Sequence, residues 1–492
     1  MAEVSDYIVA IDIGTSNVVT LVGERAEDGK IRIVSSSITP SGGMARGDVR
    51  NVEQIVASIE KSIAQIAEDY NIKICEAYVG LSGEHIRCSL HGGYVFIKNK
   101  DSEVSREDVD ELSESMRNVK VDPGQTIIHI LPQNYILDGD CDVSHPVGMI
   151  GKKLEGRFNI VMGGRQNLSH MERCLNRAQI GIAEVILSSL ASAEAVLLDD
   201  EKELGVIVVD IGGGTCDVCI YYDKTVRYMG VIPVGGNFIN KDIKSFGVLE
   251  RHVEKLKVKF GSALSESIPD NKIITLASIN NIPSKEIAQK TLASIIEARM
   301  LDIIERLEQI LEDSNFKEKL KGPIVLTGGC SMLHDIDKLF AKHLGKDVRI
   351  ASPTLYVTED SVEKVNSPQY STAVGLLLKG MVVGRTTKTI LLKKARPLLP
   401  PQEEERADYY ATPQQQHQRQ IYNATPHTRE KVTQTDTSFS QQDSEDDNEN
   451  VGVEEDFPQT EKKSKGIGGW FKSNAKKVKE IFDPEDLEDD AL

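Results

Sequence analysis

Short apolar runs that end in an acidic residue and a glycine-rich turn form the clearest pattern in this chain. Residues 7–11 read Y-I-V-A-I and lead into D-I-G-T-S-N at residues 12–17, the first glycine turn. Residues 206–209 read V-I-V-V and lead into D-I-G-G-G-T-C-D at residues 210–217, the second glycine turn. A continuous apolar run bounded by glycine predicts a buried strand that breaks into a tight turn. The chain therefore contains two similar strand–turn units.

The residue types in these turns suit the binding of phosphate groups. Glycine allows the backbone to approach a phosphate and to adopt positive φ, and threonine adds a hydroxyl donor. Asp12 and Asp210 add carboxylates that can orient Mg²⁺ through its water ligands. One such turn alone is also typical of ordinary turn chemistry, so the inference rests on finding two. They predict a duplicated α/β domain whose halves hold the phosphates of a nucleotide from both sides.

A third apolar run, residues 323–326, leads into T-G-G-C-S at residues 327–331, the third glycine turn. Residues 334–344 then show the apolar spacing of a helix. A Gly-Gly pair at a helix start leaves room for a flat base or a ribose. Upstream, Glu254 and Lys257 lie on one predicted helical face, where they would form a solvated ion pair or reach ribose hydroxyls. The neighbouring turns favour the ribose.

Length, charge and cysteine content narrow the classes of protein. With 492 residues the chain has room for about three domains. Its net charge of -18 and pI of about 5.2 argue against a nucleic-acid partner, which would need clustered Lys and Arg. Seven cysteines without a leading apolar segment predict a reducing cytoplasm, and no apolar run is long enough to span a bilayer.

The C-x-x-C pair of Cys216 and Cys219 admits a metal or redox interpretation. Both cysteines lie in a predicted strand, where residues three apart face opposite sides of the sheet. Structural thiols are therefore the favoured interpretation.

The C-terminal part of the chain changes character twice. Residues 393–465 are rich in Gln, Glu, Asp, Ser, Thr and Pro, and they predict a disordered linker because they cannot bury enough apolar surface. Residues 466–482 place apolar side chains in one helical stripe beside lysines, which predicts an amphipathic helix at a membrane surface. The alternative, a helix docked on the protein's own core, fits poorly with a long polar linker. Residues 483–492 form an acidic tail that anionic lipid would repel.

The candidate membrane-contacting residues are the members of this stripe and two flanking lysines: Ile467, Trp470, Phe471, Val478, Ile481, Phe482, Lys472 and Lys476. Trp470 is the only tryptophan of the chain, and its ring combines an apolar body with a polar N–H. Each large side chain contributes roughly 1.5–3 kcal/mol if fully buried, and each Lys near anionic lipid about 1 kcal/mol. Partial insertion leaves one copy bound reversibly, whereas a filament of many copies binds firmly.

Several motifs outside the turns indicate a family. They are I-x-H-x-L-P-Q-x-Y (residues 127–135), H-P-V-G-M-x-G-x-x-L-E (145–155), L-A-S-A-E-A-V-L (190–197), E-L-G-V-x-V-V-D-I-G-G-G-T (203–215) and Y-S-T-A-V-G-L (370–376). With the glycine turns, the chain resembles the superfamily of two-lobed ATPases that includes actin, Hsp70 and sugar kinases. Within it, the chain resembles the FtsA family of bacterial cell-division proteins over residues 5–392 and again over 464–482.

The resemblance implies an actin-like, two-lobed α/β fold with a family-specific inserted subdomain. Residues 1–84 and 166–204 would form the nucleotide-binding subdomain of the first lobe. Residues 85–165 would form the insertion, which in that family makes contacts along a filament. The second lobe would comprise a nucleotide-binding subdomain, residues 205–238 and 301–392, and a small subdomain, residues 239–300.

The resemblance also makes ATP with Mg²⁺ the expected cofactor. The candidate ATP-binding residues come from the three glycine turns, a Gly-Gly pair and the Glu–Lys pair: Gly14, Thr15, Ser16, Asn17, Asp210, Gly212, Gly213, Gly214, Thr215, Gly235, Gly236, Glu254, Lys257, Gly328, Gly329 and Ser331. Asp12 and Asp210 would orient Mg²⁺ through water. Slow or absent hydrolysis is expected, because residues 186–189 (I-L-S-S) lack the Glu or Gln that brisk ATPases place there. Glu184 and Glu194 lie nearby.

The implied function is a scaffold that polymerises on the cytoplasmic face of the inner membrane at the division site. Its implied partners are the C-terminal peptide of the tubulin-like protein FtsZ, further copies of itself, inner-membrane lipids and downstream division proteins. The FtsZ contact is expected within residues 240–300, and Arg299 is a candidate for this contact or for a neighbouring subunit.

Three other proteins of the superfamily are alternatives. A metabolite kinase or a pilus-assembly ATPase would have little use for a terminal amphipathic helix. An Hsp70-type chaperone would need a strand-rich peptide-binding domain after residue 392, and the sequence there is polar and of low complexity.

Overall fold

The computed structural model describes residues 7–70, 72–139, 141–276, 285–384, 386–387 and 389–391. The predicted linker (393–465), amphipathic helix (466–482) and acidic tail (483–492) lie outside the described residues. Within the described residues the chain forms a mixed α/β fold.

The strands are β1 (Ile8–Ile13), β2 (Asn17–Arg25), β3 (Ile31–Pro40), β4 (Met44–Ala45), β5 (Asp48–Val49), β6 (Ile72–Ile74), β7 (Glu76–Leu81), β8 (Arg87–Phe96), β9 (Gln125–Leu137), β10 (Cys141–Val143), β11 (Lys153–Gly164), β12 (Gly181–Leu187), β13 (Val206–Ile211), β14 (Cys216–Tyr222), β15 (Thr225–Ile232), β16 (Ile273–Leu276), β17 (Lys285–Ala288), β18 (Ile324–Thr327), β19 (Val348–Ile350) and β20 (Thr389–Leu391). The α-helices are α1 (Val52–Tyr70), α2 (Arg106–Ser115), α3 (Arg165–Arg177), α4 (Ser188–Val196), α5 (Asp199–Leu204), α6 (Gly236–Ser245), α7 (Glu250–Phe260), α8 (Gln289–Ser314), α9 (Ile336–Leu344), α10 (Val362–Val365) and α11 (Ser371–Val383).

Two five-stranded sheets share one topology. β1, β2 and β3 form an antiparallel meander, and β7 and β12 extend it as parallel strands in the order β12-β7-β1-β2-β3. β13, β14 and β15 form the same meander, and β18 and β19 extend it in the order β15-β14-β13-β18-β19. This repetition confirms the predicted two-lobed, duplicated fold. It also places the ends of β1 and β13 at equivalent points.

Helices α4 and α11 pack against each other and connect the two lobes. α11 packs on β1, β2 and β7 of the first lobe, whereas α4 packs on β13 and β14 of the second lobe as well as on β12. The helices cross at Gly375, where an added Cβ atom would overlap the backbone of Ala191. Only glycine allows two backbones to approach so closely. The relative position of the lobes therefore depends on this crossing.

Strand β13 contributes to two hydrophobic cores. Val206 and Val208 belong to the core that includes the first lobe, whereas Ile207 and Val209 belong to the core with α7, α8 and α9. On the adjacent β14, Cys219 and Cys216 divide between the same two cores. The C-x-x-C pair thus faces opposite sides of the sheet, which confirms the prediction from strand alternation.

The inserted subdomain is a four-stranded antiparallel sheet, in the order β10-β9-β11-β8, with α2 packed on it. Its own core includes Leu112 and Phe158. The apolar pattern of the sequence predicts strands near residues 94–97 and 156–162, and the structure shows that β8 and β11 are both longer than this. The two strands pair with each other from end to end, including at glycines such as Gly92 and Gly93 that interrupt the apolar alternation.

Between β15 and β18, the second lobe contains α6, α7, the β16–β17 hairpin and α8. The apolar spacing of residues 285–311 in the sequence predicts one helix, and the structure corrects its first turn. Residues 285–288 form β17, which pairs antiparallel with β16, and α8 begins at Gln289. Ile287 continues the apolar spacing of the helix, yet it packs against the core from a strand. α9 likewise begins at Ile336, because Asp335 before it has a left-handed backbone with φ of 60°.

Candidate functional site

A cavity of about 360 Å³ lies between the two lobes, where β1 and β13 end. Its wall contains all three glycine turns and helix α7. The predicted residues that line it are Asp12, Gly14, Thr15, Ser16, Asn17, Asp210, Gly212, Gly213, Gly214, Thr215, Gly236, Glu254, Lys257, Gly328 and Gly329. The structure therefore brings most of the predicted site residues together around one space.

Two of the residues predicted to bind ATP, Gly235 and Ser331, do not line the cavity. Gly235 packs against the second glycine turn, and an added Cβ there would lie 2.6 Å from the Gly212 carbonyl oxygen. The buried Ser331 hydroxyl donates a hydrogen bond to the Gly328 carbonyl at 2.7 Å. Both residues support the shape of a turn rather than line the cavity.

The first and second glycine turns have matching geometry. The Gly14 N–H donates to the Asn17 carbonyl at 2.9 Å, and the Gly212 N–H donates to the Thr215 carbonyl at 2.9 Å. Each turn thus closes in the same way at the end of an equivalent strand. The duplication predicted from the sequence extends to the hydrogen bonds of the turns.

These two turns also touch each other across the cavity. An added Cβ at Gly213 would overlap the Ser16 hydroxyl, and one at Gly214 would lie 2.9 Å from the Thr15 Cβ. At two of the three consecutive glycines, the opposite lobe therefore leaves no room for a side chain. The third glycine turn packs equally closely, because Gly328 has φ of +83° and lies against the Asp210 carboxylate.

Hydrogen bonds join the lobes at the same place. Ser82, which follows β7 of the first lobe, donates to both carboxylate oxygens of Asp217 on β14, at 2.7 and 2.8 Å. Ser16 donates to the Asn237 side-chain oxygen on α6 at 3.3 Å. Hydrogen bonds from two serine side chains thus connect the two lobes around the cavity.

Three aspartates of the described residues, Asp12, Asp210 and Asp217, line the cavity in addition to Glu254. Asp210 accepts hydrogen bonds from the hydroxyls of Ser192 on α4 and Thr372 on α11. Desolvation, and then the nearby charge of Asp210, raise the pKa of both Asp12 and Asp217 to about 7. Burial also raises the pKa of Asp210. Carboxylates grouped in this way need protons or a cation to compensate their charge.

Apolar side chains also line the cavity. Val258, Met332 and Leu333 contribute apolar surface to its wall, which suits a flat base. The Lys257 ammonium lies 2.8 Å from the Glu254 carboxylate, and the lysine side chain is only 10% exposed. The Glu254–Lys257 ion pair is therefore present and both residues line the cavity, whereas their contact with ribose hydroxyls stays a prediction.

Comparisons with known proteins now bear on this geometry. The family model for Cell division protein FtsA matches residues 207–375, and that for the SHS2 domain inserted in FTSA matches residues 83–162. A Cell division protein FtsA of Neisseria meningitidis is 36% identical over 379 residues, which cover 77% of this chain and 91% of the relative. That of Pseudomonas aeruginosa is 34% identical, covering 76% of this chain and 89% of the relative. The chain belongs to the FtsA family of cell-division proteins.

A solved structure agrees at the level of the fold. A chain titled as part of the PilM-PilN type IV pilus biogenesis complex superposes with a TM-score of 0.54 at 16% identity, covering 76% of this chain and 98% of that chain. The FtsA-family chain therefore shares its two-lobed architecture with an otherwise distant protein. No helix in the described ranges is long and apolar enough to cross a membrane.

The structure gives Arg299 of this FtsA-family chain an internal role. Its guanidinium pairs with both Asp242 oxygens, at 2.7 and 2.9 Å, and with Asp302 at 2.9 Å. The side chain is 15% exposed and lies 5.8 Å from the Phe238 ring centre. All three guanidinium nitrogens are thus engaged between α6 and α8, and the partner contact of Arg299 stays a prediction.

Sequence reasoning missed several residues of the cavity wall: Gly47, Ser82, Ser188, Asp217, Asn237, Met332, Gln369 and Thr372. Asp217 had a readable signal, because it stands two residues after Thr215 at the start of a strand and so shares its face. The other side chains reach the cavity from loops and helix starts far away in sequence. Nothing in their local pattern distinguishes them from ordinary turn residues.

The raised carboxylate pKa values predict how the stability of the nucleotide-free protein depends on pH. The folded state holds protons on Asp12 and Asp217 up to about pH 7, above the ordinary value of 3.8, so it binds more protons than the unfolded state. The free energy of unfolding should therefore fall as pH rises from about 4 to about 7. We expect Asp217→Asn to show a shallower fall in urea titrations, because one titrating group is removed.

Asp223→Asn is the matched control, because this exposed carboxyl lies on a turn away from the cavity. It removes the same charge and should keep the wild-type slope. A slope of the free energy of unfolding that is the same in wild type and in Asp217→Asn would contradict the account of the buried carboxylates.

Proposed function

We propose that this cell-division protein binds ATP with Mg²⁺ in the cavity between its lobes. The observation that supports the proposal most directly is the facing pair of glycine turns. Each turn presents backbone amides and a threonine hydroxyl at the end of a buried strand. The residues fit the cofactor, because glycine backbone without side chains lines the cavity and the carboxylates offer hard oxygen donors.

In this proposal each part of the wall has its own role. Gly14, Thr15 and residues 213–215 hold the phosphates, and Gly328, Gly329 and the Glu254–Lys257 pair hold the adenosine. Mg²⁺ neutralises phosphate charge when bound. Asp12 and Asp210 orient it through water, and the described residues contain no group of three His, Cys, Asp or Glu side chains that would hold a metal directly.

Replacing Gly213 by valine should weaken ATP binding by about 100-fold or more, because the side chain would meet Ser16 and block the approach of phosphate. Calorimetric titration of the purified protein with ATP and Mg²⁺ measures this. Gly92→Val, at an exposed strand position of the inserted subdomain, should leave the affinity unchanged. Wild-type affinity of a folded Gly213→Val protein would show that the site is assigned wrongly.

Hydrolysis should be slow or absent. β12 ends at Leu187 and α4 begins at Ser188, which reaches the cavity wall with a hydroxyl and no carboxylate. The Glu194 carboxylate instead accepts hydrogen bonds from the Tyr221 hydroxyl at 2.6 Å and the Lys202 ammonium at 2.8 Å. Fast single-turnover hydrolysis in rapid-quench measurements, lost on replacing Glu184 or Glu194 by glutamine, would contradict this expectation.

We also propose that the protein carries the FtsZ ring on the cytoplasmic face of the inner membrane at the division site, polymerises there and recruits downstream division proteins. Membership of the FtsA family supports this role. The inserted subdomain is the part proposed to make contacts along the filament. FtsZ is proposed to contact the small subdomain of the second lobe through its C-terminal peptide.

A second cavity supports the FtsZ contact. It has a volume of about 530 Å³ and lies between the end of α7, the start of α8 and the start of α9. Lys259 and Lys272 lie around it, with Phe260 and Ile268 as apolar neighbours, whereas a third lysine, Lys338, is paired with Asp335 at 2.6 Å. A basic rim beside apolar surface suits a short peptide that carries apolar and acidic side chains.

Reversing two charges of this rim, in a Lys259→Glu, Lys272→Glu double variant, should lower the affinity for an FtsZ C-terminal peptide by about tenfold or more. Fluorescence polarisation with a labelled peptide gives the affinity. A Lys61→Glu, Lys73→Glu double variant makes the same charge change on the exposed surface of the first lobe and serves as the control. An equal loss in both variants would point to long-range charge and remove the groove from the proposal.

Residues 466–482 are proposed to attach the protein to the membrane, on the strength of the apolar stripe and its lysines in the sequence. Changing Trp470 to glutamate removes a large apolar contact and adds repulsion from anionic lipid. The loss should be a few kcal/mol per copy, roughly the burial of one aromatic side chain plus one unit of charge. We expect a monomeric protein to leave vesicles and a long filament to stay, because many copies act together.

Co-sedimentation with vesicles that contain anionic lipid tests this attachment. Ser473→Glu is the control, because it adds the same negative charge to the segment at a position outside the predicted apolar stripe. Salt should weaken the wild-type contact only in part, because lysine attraction is screened while apolar insertion persists. Unchanged vesicle binding of monomeric Trp470→Glu protein would mean that the segment docks elsewhere.

A further inference from the structure

The β4–β5 hairpin, residues 44–49, links parts of the molecule that are distant in sequence. Gly47 lines the cavity, and its N–H donates to the Thr15 hydroxyl of the first glycine turn at 3.3 Å. Arg46 reaches the second lobe, with its guanidinium 5.6 Å from the centre of the Phe238 ring on α6. Both residues have a left-handed backbone, with φ of 52° at Arg46 and 78° at Gly47.

The next residue of the hairpin, Asp48, contacts both segments that join the inserted subdomain to the first lobe. One of its carboxylate oxygens lies 3.1 Å from the His85 Nδ1 and accepts a hydrogen bond from the Asn167 side-chain amide at 2.6 Å. His85 lies just before β8, where the chain enters the insertion. Asn167 lies in the first turn of α3, directly after β11, where the chain leaves it. Asp48 is itself buried, at 9% exposure.

The entry connection also touches the hairpin and the cavity directly. An added Cβ at Gly47 would lie 2.6 Å from both the Ser82 carbonyl oxygen and the Gly83 Cα, so the two backbones are in contact. Ser82 in turn donates to the Asp217 carboxylate of the second lobe. Movement of the glycine turns around a ligand would therefore displace residues 82 and 83, where the insertion begins.

The inserted subdomain rests on the second lobe as well. The side-chain amides of Gln133 and Asn159 donate to the carbonyls of Val226 and Arg227 on β15, each at 2.8 Å. The Arg227 guanidinium donates back to the Gln133 carbonyl at 3.0 Å. The insertion is thus joined to the first lobe by the chain and to the second lobe by these hydrogen bonds, so a movement between the lobes must displace it.

We propose that Asp48 is a positioning residue that couples nucleotide binding in the cavity to the inserted subdomain. It fixes the entry and exit of the insertion to the same hairpin whose glycine contacts the first glycine turn. The proposal rests on the proposed binding of ATP. It makes the inserted subdomain, rather than the cavity alone, the part of the protein that reports whether nucleotide is bound.

Hydrogen–deuterium exchange of the full chain, with and without AMP-PNP and Mg²⁺, tests the coupling. In wild type we expect the nucleotide to slow exchange in the glycine turns and also to change exchange in β8 and β9 by about fivefold or more, the size of an ordinary coupling. In Asp48→Ala we expect the slowing in the turns to remain and the change in β8 and β9 to disappear. Asp48→Asn keeps an acceptor for Asn167 and should retain the change.

Arg50→Ala is the matched control, because it removes the exposed partner of the other Asp48 oxygen, 3.4 Å away, and touches neither connection. It should behave as wild type. If Asp48→Ala does not fold, Asn167→Ala removes the exit contact alone and should reduce the same response.

The outcomes separate the two proposals. Slowed exchange in the turns of wild type without any change in β8 and β9 overturns the coupling and leaves ATP binding intact. A wild-type response that persists in Asp48→Ala and Asn167→Ala overturns the role of Asp48. No change anywhere in wild type, at AMP-PNP concentrations of about 1 mM, overturns both the binding and the coupling.

Discussion

The contact between the first and second glycine turns sets the distance between the lobes. Thr15 and Ser16 occupy the space that side chains at residues 213 and 214 would need, so the lobes approach only because those residues are glycine. Ser82 and Ser16 then bridge the gap to Asp217 and Asn237. The cavity, the hydrogen bonds across it and the crossing of α4 with α11 all depend on that short distance.

The short distance between the two turns also brings the carboxylates of Asp12 and Asp210 to the same cavity. Asp12 and Asp210 stand at equivalent ends of β1 and β13, and the duplication brings them to one space. Burial raises the pKa of both carboxyls, and the charge of Asp210 raises that of Asp12 further, so the nucleotide-free protein favours protons where a bound cation would otherwise compensate the charge. The duplicated fold thus explains both where the site lies and why its acidic residues resist ionisation without a ligand.

Much of this arrangement was predictable from the sequence, because the relevant signals are local. The apolar runs before Asp12 and Asp210 predicted the buried strands, and the glycines after them predicted the turns. The sequence does not reveal features that depend on pairing between segments distant in the chain. β17 looked helical because Ile287 fits a helical spacing, and Gly92 and Gly93 hid the length of β8. Asp48, His85 and Asn167 carry no joint pattern in the sequence, since only the folded chain brings them together.

The functional proposal depends on the binding of ATP in the cavity between the glycine turns. Calorimetric titration of the full chain with ATP, in buffer with Mg²⁺ and again with EDTA, measures this binding. We expect one site per chain with Mg²⁺ and weaker binding with EDTA, because the acidic cavity then meets uncompensated phosphate charge. An absence of binding heat in both buffers at about 1 mM ATP, confirmed by equilibrium dialysis, would contradict it.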